Sequence, residues 1–336
     1  MSKPTIVDIA RRAGVGVGTA SRAINNAAEV SAPTRERVLA AAAELNYHPD
    51  ALARRLQGKR SNVVAYVPEV GNQPAGDMNF KDFIAVLAER CANRDLDLLV
   101  HPLKNDRDYR DDLNRLLHGR RADGLILADI RPDDERVAYL VSQSLPFVAF
   151  GRTANQLDYA YVDVDSQAGT AAATAHVIER GRRRIGYLSL PLAYTFATHR
   201  YEGYRQALAV AKLTFDPALV AHDLRTESDT RSAVRAIMNQ PNPPDAFVAA
   251  TDLHAIHAML ALEELGHMIG TDVAITGFDD LPLAAHTRPS LTTVRQRFDQ
   301  ICDLLIATLL SVIEHDEIFL HQSLIQPDLI IRQSSG

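Results

Sequence analysis

Gly14, Gly16 and Gly18 stand two apart in AGVGVGTASRAIN, residues 13–25, a glycine density that in other settings lets backbone N–H groups cradle a phosphate. That chemistry needs GxGxxG directly after a buried strand, or GxxxxGK followed by Ser or Thr, and neither spacing is present. His254 and His257 are three apart on a predicted helix, as two ligands of one metal would be. No third ligand stands at metal spacing, so surface or core histidines are the expectation. Asp163 and Asp165 alternate on an extended stretch, where a general-acid pair is conceivable; a helix-capping acid and a cleft-side acceptor are the expected roles. With no GxSxG elbow and no Ser-His-Asp set in a recognisable context, no enzyme, metal or cofactor is expected.

The glycines are positioned by helices. TIVDIARRA places Ile6, Ile9, Ala10 and Ala13 at helical spacing, and Thr5 with Asp8 three residues on resembles a capping box. A first helix over Ile6 to Ala13, a Gly14-Val15 turn and a second helix from Val17 to Asn25 follow from this pattern. A third helix, capped by Ser31, carries Val38, Leu39, Ala42 and Leu45 on one face and stops before Pro49. Two helices joined by a short glycine-bearing turn and backed by a third form a helix-turn-helix, whose second helix enters the major groove.

Charge agrees with that reading. Residues 1–60 hold ten Lys and Arg against five acids, whereas the remaining residues hold 26 basic and 37 acidic groups, within a chain of net charge −6. A basic head on an acidic body is the footprint of a polyanion-binding module attached to a sensor or assembly domain. The two cysteines, Cys91 and Cys302, suggest no disulfide scaffold. No apolar run approaches the ~20 residues of a membrane span, and MSKPTIVDIARR lacks a signal-peptide core, so the expected location is the cytoplasm.

TIVDIARRAGV, TASRAIN and VSAPTRERVLAAAAELNYHPDALARRLQGKRSN resemble the head of the LacI/GalR family of bacterial transcription regulators over essentially all of the first 62 residues. The resemblance implies that Val17, Gly18 and Arg22 face bases, with Thr5, Thr19, Ser21 and Asn25 nearer phosphates or backbone. Arg22 suits a bidentate contact to guanine. Where the family commonly has larger polar side chains, this chain has Val17 and Gly18, so readout is expected to lean on Arg22 and on DNA shape. DALARRLQGKR matches the family's hinge helix, which implies Ala53 and Leu56 in the minor groove, with Leu56 as the wedge. Too short to be stable alone, the hinge should order only on DNA in a dimer.

From Asn62 the chain alternates strands (VVAYVP, LDLLVHP, DGLILAD, PFVAFG, RIGYLSL, DAFVAA, DVAITGF) with helical stretches, which implies parallel sheets covered by helices. The expected fold is an all-α helix-turn-helix head on an α/β periplasmic-binding-protein-like body of two Rossmann-like subdomains. The expected domains are 1–48 (head), 49–61 (hinge) and 62–336 (body). Within the body, an N-subdomain takes about 62–160 plus 294–318 and a C-subdomain about 161–291 plus 319–336. LTTVRQRFDQICDLLIATLLSVIEH reads as a late helix crossing back to the first half.

Ligand is expected in the cleft at the strands' C-terminal ends. Arg200 near a helix start and Asp279 after a strand supply a donor fork and an acceptor pair, as vicinal hydroxyls require. The resemblance implies effector contacts for both, and for Phe80, Thr251, Asp252 and Gln296. Tyr194 and Phe196 could stack on a sugar ring, and Arg152 could reach the cleft or pair with Asp158. The expectation is a homodimeric regulator, most simply a repressor of a carbohydrate-utilisation operon, that binds double-stranded palindromic operator DNA and a mono- or disaccharide. A purine or sugar-phosphate effector, or a cytoplasmic sugar-binding protein, is the alternative.

Overall fold

The computed structural model describes residues 4–24, 29–47, 60–69, 78–103, 108–155, 157–314 and 321–336. They fall into two compact units, divided between Ser61 and Asn62. Asn25, Ala53, Leu56 and most of the hinge lie outside the described residues.

The head packs α1 (Ile6–Ala13), α2 (Val17–Ile24) and α3 (Ala32–Glu44) around Ile9, Ala20 and Val38. Alanines 10, 13, 23 and 41 complete this core, and their small side chains let three short helices approach closely. The Asp8 carboxylate accepts the Thr5 backbone N–H at 2.9 Å and the Thr5 hydroxyl at 2.7 Å, which fixes the start of α1. Gly14 ends α1 in the left-handed region, φ 65°, where a side chain is strained. Gly16 and Gly18 have ordinary backbone angles and open space around an added Cβ, so only the first glycine of the three is required by the turn. Two expectations fail in α3. Leu39 is 48% exposed, because helical spacing from Val38 runs through Ala41, Ala42 and Leu45 and leaves position 39 on the outer face. Ser31 holds the N-cap position, but its hydroxyl donates to Thr34 Oγ1 at 2.9 Å and makes no bond to the helix N–H groups.

In the body, six parallel strands are ordered β11-β5-β4-β3-β1-β2, where β1 is Val63–Val67, β2 Asp97–Val100, β3 Gly124–Leu127, β4 Phe147–Phe150, β5 Tyr161–Val164 and β11 Gln322–Ile325. Four more parallel strands, β7-β6-β8-β9, form a second sheet from β6 (Ile185–Leu188), β7 (Val220–Ala221), β8 (Ala246–Ala249) and β9 (Ala274–Thr276). The central strands of both are buried along their whole length, as helices on both faces demand. Helices α4 (Met78–Ala92), α5 (Tyr109–Leu117) and α6 (Glu135–Ser142) accompany the first sheet. With the second go α7 (Ser166–Glu179), α8 (Thr195–Val210), α9 (Glu227–Met238) and α10 (Asp252–Glu264). Among the described residues no helix is long and apolar enough to cross a membrane.

The expected subdomain limits shift. The pattern puts Tyr161–Val164 and Gln322–Ile325 in the second half, yet both pair in the first sheet, β5 beside β4 and β11 beside β5. Hydrogen bonding from the strands already present decides this, and periodicity cannot see it. The late helix also starts later than the pattern suggests. Thr293–Arg295 forms β10, antiparallel to β12 (Asp328–Ile330), and α11 runs only over Phe298–Glu314, packed on the first sheet through Ile301, Leu305 and Leu309. The β-branched run Thr292-Thr293-Val294 favours the strand. The chain therefore passes between the lobes three times, after β5, after β10 and after β11.

Candidate functional site

In the body, segments following β3, β4, β6, β7, β8 and β9 converge on a cavity of about 530 Å³ between the lobes. Eight of the nine effector candidates line it: Phe80, Arg152, Tyr194, Phe196, Arg200, Thr251, Asp279 and Gln296. Asp252 does not. It is fully buried beneath the cavity, where it accepts the Leu281 N–H at 2.7 Å and the Thr293 hydroxyl at 2.5 Å. Burial raises its pKa well above the ordinary carboxylate value, and nearby Asp279 adds to the rise. Its role is to clamp the turn after β9 to β10.

Arg200 is the most constrained cation of the cavity. Its side chain is only 5% exposed, its Nη1 donates to the Ala250 carbonyl at 2.5 Å, and its Nη2 lies 3.3 Å from Asp279 Oδ1. The guanidinium carbon sits 3.7 Å from the Phe278 ring centre and 5.1 Å from that of Phe196, a cation–π arrangement that holds the fork in plane. Asp279 Oδ1 also accepts Gln296 Nε2 at 2.8 Å, so Gln296, on the second crossing, is tied to the second lobe. Phe196 stacks with Tyr194 at 5.7 Å between ring centres and carries Arg200 as well, so its ring is engaged by protein. Thr251 caps α10 and meets His254 Nδ1 at 2.7 Å, which commits its hydroxyl to the fold.

Arg152 meets Asp163 at 3.1 Å, which settles the choice between the cleft and Asp158 in favour of the cleft. Asp165 caps α7 by accepting the Ala168 N–H at 2.9 Å, while Asp163 faces the cavity. Sequence reasoning missed a further part of the cavity lining, Arg225, Thr226 and Glu227 at the start of α9 together with His254 and His257 of α10. The TE pair before the helical run of α9, with Asp229 closing a capping box, was the available signal. His254 is buried; its Nε2 lies 3.1 Å from the Leu224 carbonyl, and desolvation pushes its pKa down to about 4, so it is neutral at pH 7. Among the described residues no cluster could hold a metal ion. The lobes also meet through main chain: the Thr195 N–H, first residue of α8, donates to the Ile130 carbonyl beyond β3 at 2.9 Å.

Burial pushes the Asp163 pKa up to about 6, against the opposing pull of Arg152. A raised folded-state value means that the fold prefers the neutral acid. The stability Asp163 contributes is complete below pH ~4, its unfolded value, and is lost as pH rises through about 6. Asp163→Asn should remove this fall, flattening the stability profile of the body between pH 4 and 6 by up to about 3 kcal/mol, as read by urea denaturation across that range. An unchanged slope would contradict the assignment.

In the head, Val17, Gly18 and Arg22 lie on the exposed side of α2, with Thr19 and Ser21 half-buried and Ala20 and Ala23 turned into the core. Thr5 is exposed at the start of α1. Arg22 lies 3.7 Å from Glu29, with both side chains largely in solvent, a pairing too weak to hold the guanidinium against a better acceptor.

The profile "Bacterial regulatory proteins, lacI family" matches residues 5–50, and "Periplasmic binding protein-like domain" matches residues 174–335. The HTH-type transcriptional regulator AglR of Rhizobium meliloti (strain 1021) is 31% identical over 332 residues, 98% of this chain and 93% of that protein. Among solved structures, the lac repressor dimer bound to operator and the anti-inducer ONPF is similar with a TM-score of 0.87 at 25% identity, over 99% of each chain. The transcriptional regulator CelR–cellobiose complex is similar with a TM-score of 0.74 at 28% identity, over 98% of this chain and 99% of that one. A helix-turn-helix head, two parallel-sheet lobes around a cavity and these likenesses lead to one conclusion: the chain belongs to the lacI family of bacterial regulatory proteins, which are transcriptional regulators and not enzymes.

Proposed function

We propose that this protein is a dimeric cytoplasmic repressor that binds a near-palindromic operator and releases or grips it according to a sugar held between the body's lobes. The observation that carries the proposal is the exposed face of α2: Val17, Gly18 and Arg22 point outward from a helix whose opposite side is core. In this reading residues 1–48 are the DNA-binding head, 49–61 the hinge and 62–336 the effector and dimerisation body. Arg22 reads guanine, Val17 offers an apolar contact to a thymine methyl, and Thr5, Thr19, Ser21 and Asn25 meet phosphates or backbone. Ala53 and Leu56 enter the minor groove from the paired hinges. Two heads on a two-fold axis require two equivalent half-sites.

In the body, Arg200 and Asp279 take paired hydroxyls, with Arg152, Gln296, Phe80, Tyr194 and Phe196 around them. Thr251 supports the site through His254. Ligand contacts on both lobes change the lobes' relative angle, which alters the spacing of the hinges and couples sugar to operator by ~1–3 kcal/mol. The likeness to a cellobiose-bound regulator supports a sugar as that ligand.

Selection from a pool of random duplexes tests the proposal. A palindromic consensus is the expected result, and no enrichment over competitor DNA overturns it. Arg22→Ala should then weaken the consensus complex by about 1–3 kcal/mol, with relaxed preference at one base pair per half-site and little change on unrelated DNA.

A further inference from the structure

We propose that Asp280 is a positioning residue: its carboxylate fastens two of the three interlobe crossings to the turn that carries Asp279, and so fixes the angle between the lobes. The inference goes beyond the reading above and holds whatever molecule the cavity takes.

The turn after β9 is the first observation. Asp279 and Asp280 both have positive φ, 117° and 54°, a region that residues with side chains enter only where the surroundings hold them. Here β10 does the holding. The Gly277 N–H donates to the Thr292 carbonyl at 2.9 Å, the Asp279 N–H to the Val294 carbonyl at 2.8 Å and the Asp280 N–H to the Thr293 hydroxyl at 3.3 Å. Turn and strand are therefore one piece, and Asp279 cannot shift without β10.

The Asp280 side chain is the second. It is only 8% exposed, and each oxygen takes a different arginine: Oδ2 accepts Arg295 Nε at 2.6 Å, and Oδ1 accepts Arg332 Nη2 at 2.7 Å. Arg295 ends β10, and Arg332 follows β12. Arg332 is itself fixed, since its Nη1 donates to the Leu291 carbonyl and its N–H to the Thr292 hydroxyl, both at 2.8 Å. Towards the first lobe, Arg297 makes two bonds of 2.7 Å to the Asp328 carboxylate, which ties the two crossings to each other. A little-exposed carboxylate shared by two guanidiniums is a charge-assisted joint whose partners resist replacement by water.

Short connections are the third. Gln296 and Arg297 alone separate β10 from α11, Gln326 and Pro327 alone separate β11 from β12, and Asp165 alone separates β5 from α7. Gln326 Nε2 donates to Asp165 Oδ2 at 2.9 Å, which joins the third crossing to the first. Connections of one or two residues carry no slack. The direction in which β10 and β12 meet the second lobe therefore dictates where α11 and β11, and with them the first lobe, must stand.

Paired spin labels test this. Gln143→Cys, just after α6 in the first lobe, and Val210→Cys, at the end of α8 in the second, are exposed positions, whereas Cys91 and Cys302 are fully buried and stay unlabelled. The distance between labels, read by pulsed dipolar spectroscopy on labelled full chain diluted with unlabelled protein, reports the lobe angle. Asp280→Asn keeps the size and the tolerance of left-handed backbone but removes the charge. It should move the mean distance by about 2 Å or more, or widen the distribution about twofold, under conditions where the variant is fully folded. Arg332→Gln removes one of the two bonds, should act in the same direction, and carries the test if Asp280→Asn does not fold. Arg184→Gln breaks a pair with Asp216 within the second lobe and should leave the distribution unchanged. A parent-like distribution in Asp280→Asn, or in Arg332→Gln where the first does not fold, overturns the proposal even if the melting temperature falls, because the residue then only stabilises. An equal change in Arg184→Gln also overturns it, because the labels then report general loosening. The distances are read without ligand, so the sugar reading stands or falls separately.

Discussion

Arg200→Ala should cost the body about 3–5 kcal/mol of stability in addition to its ligand, because it leaves a buried carboxylate without its cation. Arg200 and Asp279 are both under a tenth exposed, and Asp279 Oδ1 faces the Arg200 guanidinium as well as accepting Gln296 Nε2. The same change removes the donor to the Ala250 carbonyl and the cation packed on Phe278. On the proposed reading, ligand binding and folding share this side chain, and a null phenotype of the alanine variant would not separate them. Arg200→Lys separates them: it keeps the charge beside Asp279 but lacks the planar fork, so it should retain most of the stability while losing sugar affinity. Urea denaturation read alongside calorimetric titration checks both variants. An alanine variant within 1 kcal/mol of the parent would show that Asp279 finds another partner.

A larger structural penalty per atom is expected at Gly203. A Cβ there would collide with the Gln167 carbonyl oxygen and stand 3.0 Å from the Ala171 nitrogen, both backbone atoms of α7. Backbone cannot swing aside as a side chain can, so α7 and α8 must move apart over their shared face. Gly203→Ala should cost about 3 kcal/mol and lower the melting temperature by roughly 5–10 °C. Gly16→Ala, where an added Cβ meets nothing within 4 Å, serves as the control and should leave the melting temperature of the head unchanged or slightly raised. Equal melting shifts for the two would refute the close-packing account.

Local signals in the sequence were read well where one element carried its own pattern. The Thr5 to Asp8 pairing and the turn at Gly14 announced α1 and its end, and runs such as GLIL and AFVA announced buried parallel strands. Arg200 and Asp279 were legible because the first stands near the start of the helix that follows β6 and the second just past β9, at the strand ends where such sheets open their cleft. What escaped was set by partners distant in sequence. Nothing within YVDV says that it lies between β4 and β11 rather than in the other sheet. Nothing beside Asp252 says that Gly277 lacks a side chain so that this carboxylate can lie against it. This part of the lining was missed for the same reason: Thr226 and His257 are 31 positions apart and reach one cavity only because α9 and α10 pack together. Conversely, Asp252 looked like a ligand contact because it sits next to one, and helical rotation by one residue carries it from the cavity rim into the interior.

The tie between Thr195 and Ile130 is peptide at both ends. An attachment made of main chain belongs to no particular side chain, so drift at either position can reshape what the cleft admits without unfastening the two halves, proline at 195 excepted because it has no N–H to give. What the cleft holds and how its two halves are fastened are in this sense separable under substitution.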